Sequence, residues 1–268
     1  MPGNPFWPEK KSKHADMTTP RYKGIYVLPN LFTIASLFAG FMGLLWAVEG
    51  QFELCASAIL VSCLCDGLDG KVARLTKASS EFGIQLDSLA DLVAFGVTPA
   101  TLLYLWQGQD LGRIGLMVSF LFVACGALRL ARFNVLAMRS TAGAKKFFIG
   151  LPIPAAACVL ATLVLFVTRF PPEIFQSVLP VWCAGLTLIL ALLMVSKVRY
   201  ASFKDLEAIK THPYTMSVTV LLLFVFLASE PRILGFLFFF AYLCSGVVYT
   251  YAIIPLRLGT FLRGLTSR

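Results

Sequence analysis

Residues 65–95 read CDGLDGKVARLTKASSEFGIQLDSLADLVAF, and they place four aspartates, Asp66, Asp69, Asp87 and Asp91, inside a chain that is otherwise greasy. Asp66 and Asp69 are three positions apart and Asp87 and Asp91 are four apart, so on helices each pair shares a face. Between the pairs a polar connection near Lys77 to Glu81 turns the chain back. The spacing therefore predicts two antiparallel helices whose four carboxylates meet at one depth.

The surroundings make that prediction a membrane one. Of 268 residues, 58% are hydrophobic and only 14% are charged, with a mean hydropathy of +0.79; soluble domains carry about 25% charged residues. Apolar runs of about 20 residues, enough to cross a hydrocarbon layer, follow one another along the chain. A soluble fold would have to absorb all of them in one core, so the expected fold is an all-α, polytopic membrane bundle. Eight helices are expected, near 26–48, 52–75, 82–106, 113–136, 149–169, 175–196, 213–229 and 232–254. Gly50, Gln107-Gly108-Gln109, Pro171-Pro172 and Pro231 mark short connections on one side.

The net charge of +9 is explained by its placement. Twenty of the 23 Lys and Arg residues fall in the amino-terminal tail, the loops after the second, fourth and sixth helices, and the carboxy-terminal tail. Only Arg113, Arg169 and Arg232 lie on the opposite face. The positive-inside rule then puts both termini and the acidic stretch in the cytoplasm, and the charge speaks for anionic lipid rather than nucleic acid. The tail PLRLGTFLRGLTSR is either an interfacial amphipathic piece or a plain solvated end. The first 25 residues lack an apolar core with a cleavage site, and no cleaved signal peptide is expected. The seven cysteines lie in or beside apolar runs without a C-x-x-C pair and read as small apolar side chains.

Four carboxylates left unpaired at the membrane boundary would repel one another and lose hydration, so a cation is required. Oxygen-rich clusters select Mg²⁺, Mn²⁺ or Ca²⁺, and four carboxylates suit two ions with shared ligands. Gly70, Ala73 and Gly83 leave room for close approach, and Arg74 offers a planar cation suited to phosphate. Together these residues describe a site for a diphosphate at the membrane surface. An ion-coupled transporter using the same acids is the alternative of another class. It would need polar residues across the whole bilayer depth, whereas here they stop on one side.

The run from Asp66 to Asp91, D-x2-D-G-x2-A-R-x8-G-x3-D-x3-D, resembles the signature of the CDP-alcohol phosphatidyltransferase family, with every fixed position occupied. The resemblance implies a six-helix core, here extended by two helices, and a dinuclear site of Mg or Mn, with Ca as a further candidate. It implies that Asp66, Asp69, Asp87 and Asp91 are metal ligands and that Asp91 is also the general base. Asp69, Gly70, Ala73, Arg74 and Gly83 would lie along the CMP moiety of a CDP-linked lipid. A homodimer in a bacterial-type inner membrane is likewise implied. The organisation expected is a basic tail over 1–25, the membrane core over 26–205, and two further helices with a basic tail over 206–268.

Other stretches bear on the acceptor. LPNLFTIASLFAGF (28–41), DSLADLVAFGVTPA (87–100), ALRLARFNV (127–135), GLPIPAAA (150–157) and LMVSKVRYASFK (193–204) together resemble the membrane-type phosphatidylserine synthases within the family. That resemblance implies phosphatidyl transfer from CDP-diacylglycerol to L-serine with release of CMP. The serine carboxylate would want an Arg fork, which Arg129 and Arg132 could supply, with Asn134 close behind. Glycerol 3-phosphate or an inositol phosphate would want similar cations, and positive-inside placement alone also explains the two arginines. Asn30 either lines the site or marks an interfacial helix start. His14 and His212 lie far from the acids and neither begins an H-x-K pattern, so no phosphohistidine nucleophile is present.

Overall fold

The structure, a computed structural model, describes residues 27–76, 81–139, 147–171, 178–201 and 230–253. Its helices are α1 (Val27–Val48), α2 (Phe52–Thr76), α3 (Glu81–Asp91), α4 (Thr98–Trp106), α5 (Arg113–Arg139), α6 (Ile153–Val167), α7 (Leu179–Val195) and α8 (Pro231–Val248). A π-helical segment, Leu92–Val97, joins α3 to α4 in one rod, and another, Tyr249–Ile253, extends α8. The described residues thus hold seven helical rods, close to seven of the eight expected. The helix expected over 213–229, the two tails and the loop tip near Lys77 lie outside the described residues.

Four rods are long and apolar enough to cross a membrane: Pro29–Val48, Glu81–Trp106, Arg113–Leu136 and Pro231–Tyr251. The last third of α2 carries Asp66, Asp69, Lys71 and Arg74, and α6 and α7 are shorter apolar helices. Large apolar side chains face outward on these rods, among them Phe38, Phe120, Leu128 and Trp182. In water such a surface would aggregate, whereas in a bilayer the acyl chains solvate it. The protein is therefore an integral membrane protein.

The expected helical architecture holds, with one short pairing beside the helices. Phe147–Ile149 (β1) pairs antiparallel with Arg199–Ala201 (β2), with Phe148 opposite Tyr200. The helix expected from residue 149 accordingly begins at Ile153, because Gly150 sits at φ +84° and Pro152 stands extended at the N-cap, while Pro154 fits the first turn. The Gly150 N–H donates to the Val198 carbonyl at 2.8 Å and the Leu151 N–H to that of Leu193 at 3.1 Å. These bonds tie the start of α6 to the end of α7.

Small residues bring α1, α2 and the α3–α4 rod together. A Cβ added to Gly40 would stand 2.7 Å from Ala94 Cα, and one on Gly43 would meet Thr98 and Ala58 at 3.1 and 3.2 Å. Ser36 and Ser62, both buried, share a hydroxyl–hydroxyl bond of 2.7 Å, and the Ser62 hydroxyl also donates to the Ser36 carbonyl. Such close backbone approach and hydroxyl bonding substitute for the hydrophobic effect, which lipid cannot supply between helices. Phe95, Phe122, Ile59, Leu102, Leu160 and Leu190 fill the centre. The result is a rigid frame around the ends of α2 and α3.

Candidate functional site

The last turns of α2 present Asp66 and Asp69, and the antiparallel α3 presents Asp87 and Asp91. One carboxylate oxygen from each of Asp66, Asp69 and Asp87 lies within 4.8 Å of the others. Oxygens that ligate one divalent ion at 2.0–2.6 Å stand at most about 5 Å apart, so this spacing fits a shared ion. Asp91 lies outside that trio but within hydrogen-bonding reach of Asp66. All four acids predicted from their spacing are therefore brought to one place.

Asp69 is the most enclosed of them, with 6% of its surface exposed. Its Oδ2 accepts a hydrogen bond of 2.9 Å from Thr33 Oγ1 of α1, and its carboxyl also lies within reach of the Gly70 N–H. A buried carboxylate held by two donors is fixed in orientation, as a metal ligand's partners require. Thr33 is a residue that the reading of the sequence missed. Its signal was the position three residues after Asn30, on the same face of α1. Asn30 itself is half-buried in the first turn of α1.

The small residues behave differently from one another. A Cβ on Gly70, and one on Gly67, would meet nothing within 4 Å, so this side of α2 faces open space that a ligand could enter. Gly83 lies in the first turn of α3 and is half-buried. Ala73 and Arg74 belong to the end of α2, but their side chains fall outside the described ones.

On the other flank stands α5. Arg129 lies within electrostatic reach of Asp91 and of Tyr242 of α8. Its Nε is buried and, among the described residues, has no hydrogen-bond partner. Arg132 is exposed. Asn134 Nδ2 donates to Ser88 Oγ at 2.9 Å and to Gln85 Oε1 at 3.5 Å, which pins α5 to α3 one turn from Asp87 and Asp91. Of the three residues named for the acceptor, Arg129 alone is brought against the acids, Asn134 ties two helices together, and Arg132 faces outward.

The deep side of the site is closed by two thiols: Cys63, one turn before Asp66, lies within hydrogen-bonding reach of Cys158 of α6. Both are free cysteines, and Cys158 is fully buried. Open on the Gly67 and Gly70 side, walled by α1 and α5, and lined by oxygen donors, the site can hold divalent cations and admit an anionic ligand.

Comparison with known proteins agrees with that chemistry. Residues 26–193 match the model of the family described as CDP-alcohol phosphatidyltransferase. The chain is 44% identical over 184 residues to a CDP-diacylglycerol–serine O-phosphatidyltransferase of Helicobacter pylori, covering 68% of this chain and 75% of that one. It is 34% identical over 227 residues to the protein of that name from Mycobacterium tuberculosis, covering 82% and 77%. An archaetidylserine synthase of Methanothermobacter thermautotrophicus is 34% identical over 186 residues, covering 69% and 73%.

Proposed function

Because the chain belongs to the CDP-alcohol phosphatidyltransferase family, we propose that it transfers the phosphatidyl group of CDP-diacylglycerol to L-serine, yielding phosphatidylserine and CMP. The observation that carries this reading is the meeting of Asp66, Asp69 and Asp87 within 4.8 Å at the signature positions. Serine as acceptor is supported by the names of the relatives, which span bacteria and an archaeon. The transporter reading is displaced by the family membership.

Asp66, Asp69, Asp87 and Asp91 would hold two divalent ions, Mg or Mn with Ca as a further candidate. When bound, these would supply positive charge to offset the diphosphate and the departing CMP. Thr33 and the Gly70 N–H keep the Asp69 carboxylate turned toward the trio. The open side at Gly70, with Ala73, Arg74, Gly83 and Asn30 along it, would receive the cytidine and its phosphates. Asp91 stands outside the trio and within electrostatic reach of Arg129, which supports it as the carboxylate that would work on the acceptor.

In the transfer step the serine hydroxyl oxygen forms a bond to the lipid-linked phosphorus as the phosphorus–oxygen bond to CMP breaks. Asp91 takes the hydroxyl proton. A serine hydroxyl is a weak nucleophile at neutral pH, which is why a base is needed. Arg129 would hold the serine carboxylate, Asn134 would brace α5 against α3 beside it, and the exposed Arg132 would stand at the outer edge of that pocket. The basic loops support a site open to the cytoplasm of a bacterial-type inner membrane, eight spans with both termini inside, and the organisation 1–25, 26–205 and 206–268. The enzyme would work as a homodimer.

The test is CMP release by purified protein with CDP-diacylglycerol, Mg²⁺ or Mn²⁺, and each candidate alcohol in turn. We expect release with serine, lost on chelation and restored by the metal. Release only with glycerol 3-phosphate or an inositol phosphate would change the acceptor, and no release with any alcohol would overturn the reading.

A further inference from the structure

We propose that Ser88 of α3 is a positioning residue for the acceptor: through Asn134 it holds α5, and the Arg129 that α5 carries, at a set distance from Asp87 and Asp91. The proposal rests on the functional reading above and deepens it, because Ser88 belongs neither to the acid signature nor to the residues named for the acceptor.

The course of α5 comes first. It leaves α4 through the short turn Gly108–Leu111 and so runs back along the rod that carries the acids. It packs on α4 and on Leu92–Val97, the segment directly after Asp91, but only sparsely on α3 itself. The two helices therefore part at the level of the acids. Beyond that level Asn134 Nδ2 spans the gap, donating to Ser88 Oγ at 2.9 Å and, more weakly, to Gln85 Oε1 at 3.5 Å. Ser88 lies three residues back from Asp91 along α3, about 4.5 Å, and Asn134 lies five residues beyond Arg129 along α5, about 7.5 Å. The gap is thus packed shut at one end and bracketed at the other, with Asp91 and Arg129 on the stretches between.

The bracket has a fixed polarity. The Ser88 hydroxyl donates to the Ile84 carbonyl at 3.1 Å, one turn back in its own helix, which leaves the oxygen's lone pairs for the Asn134 amide. Ser88 also stands next to Asp87 in the chain, so α5 cannot slide or swing along this bond without pulling on the helix of the acids. Arg129 gives the bracket its purpose. Its Nε is buried and has no hydrogen-bond partner among the described residues. Such a donor is costly when left unmet, and beside a substrate site it is satisfied when the substrate arrives. Serine must offer its carboxylate to α5 and its hydroxyl to Asp91 on one short carbon frame, so the width of the gap decides whether both ends bind at once.

The experiment measures KM for serine, KM for CDP-diacylglycerol and kcat in Ser88→Ala, Asn134→Leu, their double variant and Ser88→Thr. Ser88 and Asn134 are only half-buried, and alanine and leucine are good helix formers, so the melting temperature should stay at the wild-type value. We expect the serine KM to rise about three- to tenfold in each single variant, as for one lost neutral hydrogen bond, with the CDP-diacylglycerol KM unchanged. The double variant should add less than about twofold to the larger single effect, because both substitutions break the same bond. Ser88→Thr keeps the hydroxyl and should behave as the wild type. An unchanged serine KM, an equal rise in both KM values, full additivity, or a Ser88→Thr protein as impaired as Ser88→Ala would overturn the proposal. Should one single variant melt lower, the split between the two KM values in the other decides. If the wild type uses another anionic alcohol, the serine reading fails, and the same constants measured with that alcohol still decide the role of Ser88. If no alcohol is used, both fall together.

Discussion

Thr33→Val should weaken the metal site while leaving the fold intact. The hydroxyl donates to Asp69 Oδ2 at 2.9 Å, and Asp69 is 6% exposed, so water cannot replace the lost donor. Its second contact, to the Pro29 carbonyl at 3.3 Å, lies within the helix and is longer. Valine keeps the shape and β-branching, so α1 still packs on α2. A hydrogen bond to a charged group contributes about 1.5–3 kcal/mol. The hydroxyl favours the ionised and correctly turned carboxylate, which is the form a cation binds. Loss of such a supporting bond lowers metal affinity by about 10- to 100-fold. The assay is the Mn²⁺ or Mg²⁺ concentration giving half-maximal CMP release, together with calorimetric Mn²⁺ binding to the protein without substrate. Excess metal should restore most of kcat, and Thr33→Ser should behave as the wild type. An unchanged half-maximal concentration in a Thr33→Val protein with wild-type melting would refute the reasoning.

Asp91→Asn should lower turnover by about 10²- to 10⁴-fold, the range for loss of a general base, while CDP-diacylglycerol still binds; normal turnover would remove Asp91 from that role. Gly40→Ala should destabilise the protein, because the new Cβ would stand 2.7 Å from Ala94 Cα and α1 would have to move away from the rod that carries Asp87 and Asp91. Overpacking of this kind costs about 1–3 kcal/mol, seen as a fall in melting temperature of about 2–4 °C per kcal/mol in detergent. Gly185→Ala, where the added Cβ meets nothing within 4 Å, is the control and should melt no lower than the wild type.

The acids were legible in the sequence because carboxylates at three- and four-residue spacing cannot be absorbed by an apolar helix without a purpose. Thr33 was not, because a threonine in a span satisfies itself on the carbonyl four residues back, as Thr33 does on Pro29, and nothing local shows that it also reaches Asp69, 36 positions along the chain. The β1–β2 pair is only three residues a side, and Phe147–Ile149 is indistinguishable by composition from the start of an apolar span. The polarity of Asn134 is legible in the sequence, but the donation of its Nδ2 to Ser88 and Gln85 of α3 is not. In each case the missing information is a contact between segments distant in the chain, which helix periodicity does not encode.

The expected helix over 82–106 shows how the site and the packing compete for one rod. Asp87 and Asp91 must face α2, and directly after Asp91 the helix widens into the π segment Leu92–Val97. Pro99 gives the cause: it has no N–H for the carbonyl four residues back, and its ring crowds that carbonyl. The Thr98 N–H instead reaches the Val93 carbonyl, five residues back, and the Thr98 hydroxyl bonds both Val93 O and Gly40 O at 2.9 and 3.0 Å. One extra residue in a turn sets the downstream side chains back by about 100°. That offset lets the upper part of the rod aim its acids at α2 while Ala94 and Thr98 press against Gly40 and Gly43 of α1. A uniform helix would satisfy one of these demands at the expense of the other, so the widened turn beside Asp91 is part of how the site is built.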